Sequence, residues 1–265
     1  MLSLVRGVLR RVLAAAAVIC APTLAQAGAW SLPQGTGQAI FSFSAGAGDY
    51  DSQIAPDAHG EKRAEGSLYL EYGLSDWLTV IGQSGLENYR IGSPISDAYR
   101  GMDYSGAGLR ARLFSQDWLV WSVQGTALVP GAHDAGRPAQ AGNTGFDSDW
   151  RTLVGSSFRV ANLWAFADAS VGYRARGGGP PGEWRADLTF GLHLSDKLTF
   201  MAQSFNAFSN GSTPSFSAAQ TTILQPSFVY DFDKFWSAQV GAYTTVRAIE
   251  ADRENGVVVA LWRRF

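Results

Sequence analysis

Glu183-Trp184-Arg185-Ala186-Asp187-Leu188-Thr189-Phe190-Gly191-Leu192-His193-Leu194 changes character at every step. Trp184, Ala186, Leu188, Phe190, Leu192 and Leu194 are apolar, and the residues between them are polar or small. Successive side chains of a strand point to opposite faces, so this period of two predicts a strand with one greasy face along its whole length. The pattern recurs from Phe235 to Arg247, where Trp236, Ala238, Val240, Ala242 and Val246 share a face. It recurs again between Leu163 and Ala175, where Ala165, Ala167, Ala169, Val171 and Tyr173 alternate with Asp168, Ser170, Gly172 and Arg174. Ten or more residues is the length that a tilted strand needs to cross a bilayer, and about twice the mean strand of a soluble protein.

The connections alternate as well. Tight polar turns fall at Ser75-Asp76, Ser115-Gln116-Asp117, Ala161-Asn162, Ser195-Asp196 and Asp231-Phe232-Asp233. Longer loops rich in Gly, Pro, Asp and Asn fall over 49–62, 89–101, 131–148, 177–182, 208–217 and 248–253. Five turns interleaved with six loops give twelve strands; a miscounted first or last hairpin would give ten. Short turns on one side and long loops on the other are the mark of a transmembrane antiparallel β-barrel in the bacterial outer membrane, with both chain ends in the periplasm. Trp77, Trp118, Trp164, Trp236 and Tyr230 stand beside the short turns, where an interfacial aromatic girdle belongs. The rival, a soluble all-β domain, would not keep so regular a short-long alternation.

Ahead of this pattern, Arg6, Arg10 and Arg11 precede an apolar run over 12–24 and the small-x-small triplet Ala25-Gln26-Ala27. That is the order of a cleaved signal peptide over 1–27, with the barrel over 28–265 and the mature chain beginning at Gly28. The apolar run is too short for a membrane helix, which needs roughly 20 residues. Cys20, the single cysteine, lies in the signal, and Ile19 before it argues against lipid attachment there. Removing the signal shifts the formal charge from −2 to about −5, which argues against nucleic acid as a partner. The partners expected are outer-membrane lipids, the barrel-assembly machinery and small solutes.

The segments Trp30-Ser31-Leu32-Pro33-Gln34-Gly35-Thr36-Gly37-Gln38 and Leu68-Tyr69-Leu70-Glu71-Tyr72-Gly73-Leu74-Ser75-Asp76-Trp77-Leu78 resemble a broad group of proteobacterial outer-membrane proteins, named as transporters or as phenol-degradation meta-pathway proteins. The resemblance covers about a tenth of the chain and implies a channel or transporter without specifying its solute. The chain's last residues, Trp262-Arg263-Arg264-Phe265, resemble the assembly signal of outer-membrane barrels, with Phe265 as the terminal aromatic. Arg263 departs from that pattern, and snorkelling to the headgroups would accommodate it.

Strand parity directs Arg110, Arg112, Arg151, Arg159, Arg174, Arg185 and Arg247 into the lumen, together with Glu71, Glu87, Asp168, Glu183 and Asp187. Arginine in excess over acid predicts a narrow pore that favours anionic solutes. Mutual pairing of these charges to plug the barrel explains them equally well. Arg110 and Arg112, on one face of one strand without an acid between them, are the pair expected to be least neutralised. Loop 131–148, the longest, is expected to fold inward and constrict the lumen.

Enzymatic alternatives are thin. His193-Leu194-Ser195 has the spacing of the His-x-Ser pair of outer-membrane lipid hydrolases, but falls at a short turn on the periplasmic side. His59, His133 and His193 lack metal-ligand spacing, and the Gly177-Gly178-Gly179 run is followed by prolines rather than by the helix of a phosphate cradle. No catalytic residue, metal or cofactor is therefore assigned. An accessory barrel for secretion or polysaccharide export is the remaining alternative to a channel.

Overall fold

A computed structural model describes residues 28–51, 59–93, 96–134, 138–140, 144–214 and 216–265. The expected signal peptide, with Cys20, lies outside the described residues, as do 52–58 of the first outer loop and 135–137 and 141–143 of the longest.

The chain runs β1 (Gly37–Asp51), β2 (His59–Ser75), β3 (Leu78–Ile91), β4 (Asp97–Met102), β5 (Ser105–Ser115), β6 (Leu119–Val129), a 3-10 turn (Pro138–Gln140), β7 (Asp147–Val160), β8 (Leu163–Ala175), β9 (Glu183–His193), β10 (Leu198–Ser209), β11 (Gln220–Asp231), β12 (Trp236–Ile249) and β13 (Ala251–Arg264). Neighbours in sequence pair antiparallel, except that β4 and β5 both pair with β3, and β1 pairs with β13 from Gln38↔Arg264 to Asp51↔Ala251, closing the sheet on itself. At the seam Gly37 and Phe265 exchange both backbone hydrogen bonds, at 2.7 and 2.9 Å. In hydrocarbon an unpaired backbone group has no water to turn to, so closure is what lets the strands span.

Twelve strands form the wall. The thirteenth, β4, is the outer part of the fifth: the first half of β3 pairs with β5 (Leu78↔Ala111 to Gln83↔Gly106) and its second half with β4 (Leu86↔Met102 to Ile91↔Asp97). Between them the chain breaks register at Asp103 and Tyr104, while the Asp103 N–H still donates to Gly85 O at 2.9 Å.

Alternation sorts the two faces. Phe41, Phe43, Leu188, Val240, Val257, Val259 and Leu261 are exposed on the outer surface, in contact with lipid in the membrane. Trp77, Trp118, Tyr230, Phe232, Phe235 and Trp236 are exposed beside the short turns, as expected of the girdle. Arg263 is accommodated there. Its guanidinium lies 4.9 Å from the ring centres of both Phe235 and Trp236, so the charge sits against aromatic faces at the level of the headgroups.

One connection differs from expectation. The predicted outer loop over 248–253 is a sharp corner at Glu250 (φ 48°), from which β12 and β13 run directly. The described part of loop 131–148 packs on the outer hairpin of β3 and β4, with Ala139 N–H donating to Asp97 Oδ2 at 3.1 Å. Within it, Gln140 Oε1 accepts from the N–H groups of His133 and Asp134.

In the turn between β11 and β12, Asp233 Oδ1 accepts from the N–H groups of Phe235 (2.7 Å) and Trp236 (2.9 Å). These bonds favour the ionised form and hold the Asp233 carboxyl below its usual range. A lowered folded-state pKa adds stability above the unfolded value of about 3.9, and that stability is lost as pH falls through the folded value. Asp233→Asn is therefore expected to lower the urea midpoint at pH 7, with the gap to wild type closing in acid; equal midpoints at pH 7 would refute the assignment.

Candidate functional site: a lumen crossed by an N-terminal strap

The residues before β1 turn back into the barrel from the periplasmic end. Residues 28–34 form a strap whose backbone is held by lumenal side chains. Asp168 on β8 accepts from Ala29 N–H at 2.6 Å, and Ser122 on β6 donates to Ala29 O. Arg110 on β5 donates to Trp30 O at 3.2 Å, and Thr79 on β3 accepts from Leu32 N–H at 3.1 Å. At the short turn between β2 and β3, Asp76 accepts from Gln34 N–H through Oδ1 and from the Ser31 hydroxyl through its carbonyl.

Apolar packing seats the strap. Ala29 is fully buried with Val120 and Leu153, and Trp30 packs against that cluster. The Trp30 ring meets Phe166 edge to face at 6.3 Å. Both rings need a missing side chain on the wall: a Cβ on Gly155 would stand 2.5 Å from the Trp30 ring, and one on Gly191 would stand 2.0 Å from Phe166. Beside the strap, Ile40, Met201, Val229, Ala260 and Trp262 make a second apolar cluster within the barrel. The periplasmic half of the lumen is thus packed like a protein interior.

Arg110 is the most heavily bonded side chain of the lumen. It pairs with Glu71 at 2.8 Å, donates to Gln124 Oε1 through Nε (3.1 Å) and Nη2 (3.0 Å), and donates to the Tyr69 hydroxyl at 3.1 Å. Tyr69 donates in turn to Glu71 at 2.8 Å. The expectation that Arg110 is poorly neutralised fails because Glu71 reaches it from β2, across the intervening β3. Arg112 stands one inward position closer to the periplasm, half-buried, and forms no ion pair among the described residues.

Towards the outer mouth the remaining charges form two groups on facing walls. On β7, β8 and β9, Arg151 pairs with Asp149 (2.6 Å) and with Asp187, Arg174 with Asp149 (3.1 Å), and Arg185 with Glu183 (2.8 Å). Arg176 adds contacts at 3.5 Å to Asp147 and Glu183. Across the lumen, on β2, β3 and β13, Glu61, Glu65, Glu87, Asp252 and Glu254 surround Arg63, which pairs with Asp252 (2.8 Å) and Glu87 (3.2 Å). Acid is in excess here, contrary to the arginine excess expected from sequence, because Glu61, Glu65, Asp252 and Glu254 lie in segments read as loops or left unassigned. A cavity of about 280 Å³ separates this tier from the strap, lined by Gly28, Tyr69, Arg110, Arg151, Asp168 and Asp187 among others.

Two expected arginines stand elsewhere. The pairing of β11 with β12 shifts register between Thr222 and Ile223, so Thr222 faces Arg247 while Ile223 faces Thr245. The extra residue on β12 changes its parity: Ala248 takes the buried position, and Arg247 is exposed beside Val246 rather than lumenal. Arg159, at the periplasmic rim, is exposed and stacks on Trp164 at 4.5 Å.

The His193 and Ser195 side chains do not form a hydrolytic pair. His193 Nδ1 is bonded to Thr199 Oγ1 at 2.8 Å, and Ser195 Oγ accepts from the N–H groups of Lys197 and Leu198 within its own turn.

These features define the chain's class, a transmembrane β-barrel of the bacterial outer membrane. No protein-family model matches the sequence, and no curated protein matches it. Solved structures do. An outer membrane channel from Pseudomonas putida F1 superposes with a TM-score of 0.67 at 14% identity, covering 91% of this chain and all of that one. The NanC porin superposes with a TM-score of 0.53 at 9% identity, covering 84% of this chain and 98% of that one. At these identities the likeness is one of fold.

Arg110→Ala would leave Glu71 buried and unpaired, which costs roughly 3–5 kcal/mol. It is expected to lower the urea midpoint of the refolded barrel strongly, and the isosteric apolar pair Arg110→Met with Glu71→Leu to recover most of the loss.

Proposed function

We propose that this barrel is a narrow channel for small solutes whose conducting path is set by the strap. The observation that carries the proposal is the lumen itself: a charged outer tier and a polar cavity lead to a floor in which one terminal segment is packed among the wall side chains. A barrel built only as a scaffold needs no such division. The solved barrels of similar fold are described as an outer membrane channel and a porin, and the sequence resembles a group named as transporters; both support the reading.

The solute preference that the side chains support is for cations. Every lumenal arginine of the outer tier has acid partners, and the single Arg63 is shared among Glu87, Asp252 and Glu254. A ring or wall of uncompensated acid raises the local concentration of cations. The phenol-degradation designation of the resembling group contributes no solute to this proposal.

The test is single-channel conductance of the refolded barrel in a planar bilayer, with reversal potentials under a salt gradient. Wild type is expected to conduct weakly with cation preference, and Glu65→Gln with Glu254→Gln to reduce that preference. Deleting residues 28–34, or crowding Trp30 with Gly155→Val, is expected to raise conductance severalfold. A strapless barrel that folds but never conducts would refute the channel and leave an accessory role.

A further inference from the structure

Asp168 holds a carboxylate inside the barrel with no arginine or lysine in ion-pair distance among the described residues. It is 9% exposed, and its one hydrogen bond comes from Ala29 N–H. A buried carboxylate left without a counter-charge costs several kcal/mol, so a charge of this kind is ordinarily paired. Gly28 also stands beside it. A Cβ built on Gly28 would stand 2.4 Å from Asp168 Oδ2 and 2.9 Å from Oδ1, so the Gly28 backbone lies directly against the carboxylate.

The sequence supplies an independent observation about the same residue. Ala25-Gln26-Ala27 is the small-x-small pattern that a signal peptidase cuts after, and Gly28 is the next residue. Hydrolysis there adds water across the Ala27–Gly28 peptide bond. Ala27 leaves as a carboxylate with the signal, and Gly28 keeps an amine, which has a pKa of about 8 and binds a proton at neutral pH.

We propose that Gly28 is the first residue of the working barrel and that its α-ammonium is the counter-charge of Asp168. Export processing then does more than release the chain. It creates the one cation that the strap brings into the lumen, at the residue that lies beside the buried acid, and so completes the strap's attachment. An uncut chain would present a neutral amide to the carboxylate. Gly28 is also a residue at which a side chain would collide with Asp168. The proposal rests on the barrel and its strap and is independent of whether the barrel conducts.

The experiment is N-terminal sequencing and intact mass of the barrel extracted from outer membranes, followed by reductive methylation of its α-amine in the folded state. The sequence is expected to begin Gly28-Ala29-Trp30. Methylation at pH 7 is expected to be on the order of tenfold slower in wild type than in Asp168→Asn, as for an amine whose pKa an ion pair raises by about a unit. In urea the two should react alike. A different first residue, or equal folded-state rates, overturns the proposal. Should Asp168→Asn fail to fold, acetylation of Gly28 in the wild-type chain replaces it: a lowered urea midpoint supports the ion pair, and an unchanged one overturns it.

Discussion

Backbone hydrogen bonding in hydrocarbon is the constraint on which this molecule turns. A strand of a dozen residues in lipid exposes N–H and C=O groups that only another strand can satisfy, and the last strand must find the first. Once β1 and β13 pair from Gln38↔Arg264 upwards, the strand number fixes the bore, and the bore decides what can fill it. Twelve strands leave a lumen that wall side chains do not fill alone. The strap occupies the part of that remainder beside Val120, Leu153 and Phe166.

The lumen is organised by depth. Near the periplasm, apolar clusters and the strap exclude water, and the polar groups there are bonded one to another: Arg110 reaches Glu71, Tyr69, Gln124 and the strap carbonyl at once. Such a network tolerates no missing member, because each atom removed strands a buried partner. Towards the outer mouth the charges are paired more loosely and in excess on one wall. Rigidity and the constriction therefore belong to the lower tier, and the choice among ions belongs to the upper.

Much of this was legible in the sequence. Period-two alternation reports directly on which face a residue takes, so the strands of Glu183–His193 and Leu163–Ala175 were readable residue by residue, and the short turns marked one rim. Parity fails where a strand gains a residue: the bulge opposite Thr222 takes Arg247 out of the lumen, and the break at Asp103 and Tyr104 divides one strand into two. Pairing of charges was hidden for a different reason. Arg110 and Glu71 lie on strands separated by a third, and no local pattern records which inward side chains are long enough to meet across a curved wall. The strap was visible only as a motif around Trp30. Its signal was the pair of small inward residues, Ser122 and Gly155, against which Ala29 and Trp30 of the strap lie.

The strap's direction of entry bears on the order of assembly. It departs from β1 at Gly37, on the periplasmic rim where that residue meets Phe265, and its described residues run from there to Gly28 inside the lumen. No part of the wall has to pass over it. The seam can close first, and the terminal segment can dock afterwards as a separate, reversible event. A closed barrel with its strap undocked is then an accessible folding intermediate, and the same undocking step, repeated in the finished molecule, would widen the bore while the strand pairing of the wall stays intact.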